Sequence, residues 1–169
     1  MPRIGLLSDS HSRAGITRRA VKLLIDQGAE ILLHLGDICS EDVIDALLVP
    51  APVVSRLVLG NNDDIVPMTR YALNLGLLVD HPVGRLDLGE GKSLVYLHGD
   101  DFSAMDRAIR EGVTYLCHGH THRAADARTG PTRVINPGAL CRAKVYSVAL
   151  LDTETDKIVF SSLADGDRL

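Results

Sequence analysis

The chain contains no long apolar run. No stretch approaches the roughly 20 residues of a membrane span. The start, "MPRIGLLSDSH", offers one Arg and then a short apolar stretch, less than the core of a secretory signal. Cysteine is scarce: Cys39, Cys117 and Cys141 are odd in number, widely spaced and form no CxxC pair. They read as reduced thiols of a cytoplasmic protein, packed as small apolar side chains. There is no basic excess either. A net charge of −4 argues against a strong nucleic-acid-binding surface. It does not exclude a phosphate substrate, because a bound metal reverses the local charge. Linkers, repeats and low-complexity tracts are absent. The composition of the 169 residues, 46% apolar and 24% charged, is that of one domain, residues 1–169, with a hydrophobic core.

What is present is an alternation of strand-length apolar runs with helix-like stretches. "RIGLL" reads as a strand. "GITRRAVKLLIDQG" puts Ile16, Ala20, Val21, Leu24 and Ile25 on one helical face, with Gly28 to stop it. "EILLHLG" is a second strand. "SEDVIDALL" is a helix with Ser40 as N-cap and Glu41 and Asp42 in its first turn. "VVSRLVLG" is a third strand. This βαβαβ start predicts an α/β fold with a parallel sheet. "GRLDLGEGKSLVYLHG" then reads as a hairpin around Gly89-Glu90-Gly91. "GEGKS" resembles the end of a phosphate-binding loop, but Leu86 stands where its first glycine belongs, and a strand follows instead of a helix. "FSAMDRAIREG" is a helix with a capping box at Ser103 and Asp106 and a face of Phe102, Met105 and Ile109. "VTYLCHG", "TRVINPG", "KVYSVALLD" and "KIVFSSL" are four further strands, the last two joined by "TETD". The sheet is mixed, or two sheets stack, with helices outside. Segments 64–80 and 123–132 are read as loops. The apolar stretch 71–79 is either core or an interface between copies in a homo-oligomer.

Polar residues gather where the apolar runs end. Ser8-Asp9-Ser10-His11, Gly36-Asp37, Gly60-Asn61-Asn62-Asp63, His98-Gly99-Asp100 and His118-Gly119-His120-Thr121-His122 each follow one. In an open α/β sheet the loops at the carboxyl ends of strands converge, and ligands bind there. Asp9, His11, Asp37, Asn61, His98, His120 and His122 can therefore meet. They are too many for one tetrahedral structural zinc. They suit two divalent ions sharing a carboxylate, a pair suited to phosphoryl transfer. His81 reads as a surface residue and His118 as packed. His34 is either a satisfied core histidine or a support for the Asp37 loop. Asp63 and Asp100 read as turn caps, with Asp63 alternatively a support of the site or a substrate contact.

The ordered set D-x-H (9–11), G-D (36–37), G-N-N-D (60–63), H-G (98–99) and G-H-T-H (119–122) resembles the calcineurin-like metallophosphoesterases. The short length, "GNND" and "INPGA" (135–139) resemble their small prokaryotic branch, typified by the bacterial YfcE phosphodiesterase. The resemblance spans residues 4 to about 140. It implies a four-layer αββα sandwich of two stacked mixed sheets flanked by helices. It also implies one metal on Asp9, His11, Asp37 and His122 and a second on Asp37, Asn61, His98 and His120, with Asp37 bridging. Mn is the first expectation, with Ni, Fe or Zn also suited to this N/O set.

The expected reaction is hydrolysis of a small phosphodiester by a hydroxide bridging the two ions. Many relatives carry His where this chain has Asn62. An amide can orient a phosphoryl oxygen but cannot supply a proton near neutral pH. Arg13, Arg123 and Arg142 follow site loops or the "NPGA" turn and are either phosphate contacts or solvated surface. Two readings stand beside the diesterase: a phosphomonoesterase, and a retromer-subunit-like scaffold of the same fold. A metallo-β-lactamase-type hydrolase is disfavoured, because Arg123 and Ala124 follow His122 where that family expects Asp and then His.

Overall fold

The alternation of periods in the sequence becomes an alternation of elements. In the computed structural model, which describes residues 1–164, they run β1 (Arg3–Leu7), α1 (Ala14–Asp26), β2 (Ile31–Leu35), α2 (Glu41–Asp45), β3 (Val54–Val58), α3 (Ile65–Asn74) and β4 (Leu78–Val79). Then follow β5 (Val83–Gly89), β6 (Lys92–Leu97), α4 (Phe102–Arg110), β7 (Tyr115–Cys117), β8 (Ala125–Thr129), β9 (Thr132–Asn136), β10 (Tyr146–Asp152) and β11 (Lys157–Leu163).

Two mixed sheets form. The first has the order β11-β10-β1-β2-β3-β4, with β1 to β4 parallel and β10 antiparallel to β1. The second has the order β5-β6-β7-β9-β8, with a parallel centre and antiparallel edges. Successive residues of a strand point to opposite faces, so Leu32 and Leu33 serve different cores. Ile4, Leu6, Leu33 and Leu35 meet Leu94, Tyr96 and Ile135 between the sheets. Leu7, Leu32 and Leu57 lie under the helices, against Leu24, Ile44 and Met68. On the far side Ala108 of α4 covers Val95, Leu97 and Leu116. The result is the expected αββα stack. Truncating any of these fully buried leucines to Ala costs about 2–5 kcal/mol.

Several local expectations change. Segment 64–80 is not a loop. It holds α3 and β4, with Pro67 in the first helical turn, where its missing N–H costs little. Stretch 71–79 divides: Tyr71, Ala72, Leu77 and Val79 pack inward, whereas Leu73, Leu75 and Leu78 are exposed. Residues 125–129 form an edge strand with every residue exposed. Helix α4 is capped by Asp101, whose carboxylate accepts from the Ala104 N–H at 3.1 Å, and not by a Ser103–Asp106 box. Its Phe102 is 73% exposed, and Ala104, Met105, Ala108 and Ile109 do the packing. Ser40 stands at the start of α2 but its hydroxyl makes no capping bond. The cysteines are free, with Cys117 buried and the other two half-buried. No helix among the described residues is long and apolar enough to cross a membrane.

Candidate metal centre

The loops after β1, β2, β3, β6 and β7 gather at one edge of the two sheets, and backbone bonds tie them together. Asp9 and His11 donate to Gly36 and Asp37 carbonyls at 3.0 and 2.9 Å. Gly119 donates to the His98 carbonyl at 2.8 Å, and the His120 N–H to Asp9 Oδ2 at 3.1 Å. This closeness demands missing side chains. A Cβ on Gly119 would sit on Ser8 and Asp9, and one on Gly60 would sit on the Asp37 carboxylate. Asp9, His11, Asp37, His120 and His122 all adopt positive φ, between 41° and 66°. Such backbone is uncommon for residues with side chains and concentrates at functional sites.

Asp9, His11, Asp37 and His122 present ligand-type atoms that all lie within 4.8 Å of one another. His11 Nε2 is 3.3 Å from His122 Nε2 and 3.5 Å from Asp37 Oδ2. His122 Nε2 is 3.2 Å from Asp9 Oδ1. Beside them, His98 Nε2 lies 3.1 Å from Asn61 Oδ1, 3.4 Å from Asp37 Oδ1 and 3.3 Å from His120 Nδ1. All seven expected residues therefore meet, with Asp37 between the two groups.

This donor set fits cations. Asp9 Oδ1 is buried and makes no hydrogen bond, although His122 Nε2 stands 3.2 Å away, a state that buried carboxylates rarely occupy. Burial accordingly pushes the Asp9 carboxyl above its usual range. His98 Nδ1 faces the Leu35 carbonyl at 2.8 Å, so it carries the proton in the uncharged ring. Nε2 is then a lone pair turned toward the Asn61 and Asp37 oxygens. A divalent cation satisfies such facing acceptors together. Asp37 is pushed up by burial, but hydrogen bonds from the Asn62 backbone and side chain outweigh this and leave it below the usual carboxylate value. Burial lowers His11, which keeps that ring neutral and able to ligate.

The supporting residues are now placed. Asn62 does not point away as a free amide; its Nδ2 donates to Asp37 Oδ2 at 2.8 Å. Asp63 caps its turn, accepting from the Gly60 and Cys39 N–H groups, both at 2.7 Å. His34 is fully buried. Its Nδ1 accepts from Gly36 N–H at 3.3 Å, leaving Nε2–H to donate to Ser10 Oγ at 2.8 Å. It thus joins the Asp9 and Asp37 loops, and burial drops its pKa to about 3. His118 is half-buried beside the Gly119 carbonyl, and His81, expected at the surface, is half-buried on the wall of the narrow cavity beside Asn61 and His98. Arg13 stacks on Tyr146, 5.0 Å from the ring centre. Arg123 is exposed on the wall of a cavity beginning at His120 and His122. Sequence reasoning assigned Asn136 no role. Fully buried, it donates to the Gly119 carbonyl at 2.8 Å and Thr121 Oγ1 at 3.0 Å, holding the loop that carries His120 and His122. Its place in a rigid "NPG" turn was the available signal.

A four-layer sandwich whose strand-end loops assemble Asp, His and Asn in this order defines the calcineurin-like phosphoesterase class. The chain belongs to that superfamily, whose domain matches residues 2–156. It is 27% identical over 159 residues to phosphodiesterase MJ0936 of Methanocaldococcus jannaschii, covering 90% of this chain and 93% of that protein. A solved archaeal phosphodiesterase superposes with a TM-score of 0.84 at 25% identity, over 95% of this chain and 99% of the other. Two further structures share the fold. YfcE of E. coli has a TM-score of 0.71 at 24% identity, covering 96% and 98% of the two chains. Vps29 of Entamoeba histolytica with Zn2+ has a TM-score of 0.67 at 21% identity, covering 97% and 94%.

Proposed function

We propose that this chain is a phosphodiesterase working with two divalent ions, Mn first among them. The observation that carries the reading is the convergence of seven ligand-type side chains, among them a buried Asp9 oxygen that makes no hydrogen bond. Asp9, His11, Asp37 and His122 would hold one ion. Asp37, Asn61, His98 and His120 would hold the other. Bound there, the ions would make water a nucleophile near neutral pH and neutralise charge on the phosphoryl oxygens.

The chain's own residues set the geometry. The Leu35 carbonyl fixes the His98 ring through Nδ1, and the Arg142 carbonyl lies 3.4 Å from His122 Nδ1. Such outer contacts orient ligating imidazoles. Asn62 fixes the Asp37 carboxylate and stands where many members of the wider family carry a histidine. It has no proton to give a departing alkoxide, so the reaction favours diesters with good leaving groups.

The test is hydrolysis of bis(p-nitrophenyl) phosphate and of p-nitrophenyl phosphate by metal-stripped protein, with Mn, Ni, Zn or Mg restored. Metal-dependent turnover of the diester in preference to the monoester is expected. Preference for the monoester would make the protein a phosphomonoesterase. No turnover with either ester, while two ions still bind, would favour the scaffold reading that the fold shared with Vps29 leaves in play.

A further inference from the structure

The two sides of the candidate centre differ in size and charge. On the side of His120 and His122 a cavity of about 930 Å³ opens. Among the described residues its wall carries Arg123, Arg142 and Lys144 and no Asp or Glu. This occurs in a chain whose carboxylates outnumber its Lys and Arg, 22 to 18. Among the described residues no carboxylate lies within ion-pair distance of any of the three cations. Elsewhere exposed cations do find partners: Arg128 and Arg133 both pair with Asp156, and Arg85 pairs with Glu111. Phe160 and Val145 supply an apolar part of the same wall. On the side of Asn61 and His98 the space is only about 140 Å³, and it is bordered by Asp100 and Asp101, with His81 but no Lys or Arg among its described lining.

A single phosphoryl group at the metal centre needs neither the volume nor three more cations. A space of about 930 Å³ is at the upper end of small-ligand sites. Arginine suits phosphate through paired N–H donors, and lysine suits it as a point charge. A flat apolar group has Phe160 to rest on. The acid-bordered, narrow side disfavours a second anion.

We propose that the wide cavity receives one arm of the diester, and that this arm is nucleotide-like and bears at least one further phosphate. The opposite arm is small and uncharged. This rests on the phosphodiesterase reading and specifies its substrate class. Arg142 is tied to the centre through its backbone, which adopts φ 51° and turns its carbonyl to His122. Its side chain lines the same cavity as those of Arg123 and Lys144.

Two chromogenic diesters test this. Both are 5′-(p-nitrophenyl) esters, one of thymidine 3′,5′-bisphosphate and one of thymidine 5′-monophosphate. They release the same leaving group and differ in one phosphate. With metal restored, the bisphosphate ester should be favoured in kcat/KM by about tenfold or more. The preference should collapse toward unity in the double variant Arg123→Ser/Lys144→Ser and weaken with added salt. Calorimetric titration of metal-free protein gives a second readout. Thymidine 3′,5′-bisphosphate should bind more tightly than thymidine 5′-monophosphate to the wild type, and the double variant should lose the difference. Equal kcat/KM for both esters, with equal binding of both nucleotides, would overturn the proposal and leave the phosphodiesterase reading intact. If neither ester is hydrolysed with any metal, the phosphodiesterase reading fails, and the titration alone decides whether the cavity prefers the extra phosphate.

Discussion

Asn62 reaches both oxygens of Asp37. Its backbone N–H donates to Oδ1 at 3.0 Å and its side-chain amide to Oδ2 at 2.8 Å. The carboxylate proposed to serve both ions is therefore held in one orientation by a single residue. Asn62→Ala keeps the first bond and removes the second. Divalent-metal affinity should weaken about tenfold, as read by chelator competition. Unchanged affinity would mean that the amide does not position Asp37.

The same residue governs leaving-group dependence. Without an acid at position 62, the rate should fall steeply as the leaving group becomes more basic. Across a series of aryl diesters, kcat/KM should drop by about a hundredfold or more from nitrophenyl to unsubstituted phenyl. Asn62→His should flatten the trend. A flat profile in the wild type would reveal another proton donor.

His34 predicts an acid-sensitive fold. In the unfolded chain its imidazole titrates near the usual 6.5, and in the folded protein only near about 3. Between these values the unfolded state binds more protons. Stability is therefore full above 6.5 and is lost progressively as pH falls toward 3. The loss amounts to several kcal/mol at most. Urea unfolding at about pH 7 and about pH 4.5 should show a smaller drop for His34→Gln than for the wild type. Equal drops would assign the acid sensitivity to other groups.

Asn136 should matter both to stability and to the site. Asn136→Ala leaves the buried Gly119 carbonyl without its side-chain donor and the Gly138 N–H without its acceptor. The Gly119 carbonyl keeps the Thr121 N–H as donor, so a cost of about 1–3 kcal/mol is expected chiefly from the unsatisfied Gly138 N–H, together with weaker metal binding through His120 and His122. Denaturant titration and chelator competition measure the two effects separately. A loss of stability with no change in metal affinity would confine Asn136 to the turn.

Much of this architecture is written in short-range pattern. Leu32-Leu33-His34-Leu35 and Leu94-Val95-Tyr96-Leu97 are buried throughout because both faces of their sheets are covered, and all but His34 are apolar or aromatic. Strand β8 carried no such pattern. Its "ADART" lies at a sheet edge and buries nothing, so only pairing with β9 makes it a strand. Helix α3 was masked by Pro67 and by apolar residues on both its faces, with Met68 buried but Val66 exposed. The ligand-type residues stood out because chemistry restricts them to Asp, His and Asn beside glycine. Their supports did not. Asn136 and His34 act through buried hydrogen bonds that span sequence separations of 15 to 24 residues, and no local periodicity encodes such bonds. The charge asymmetry of the two cavities was equally hidden, since Arg123 is distant in sequence from Arg142 and Lys144.

The candidate centre draws Asp9, His11, Asp37 and Asn61 from loops of one sheet and His98, His120 and His122 from loops of the other. An ion held there acts as a rivet through the seam. His11 and His122 stand 111 positions apart, so one ion closes most of the chain into a loop. The entropy of such a closure rises only slowly with length, and the fold has already met it by pairing its sheets. An ion bound there would bridge loops of both sheets and resist the sliding of one over the other. Metal supply would then set the mechanical stiffness of the molecule as well as its chemistry.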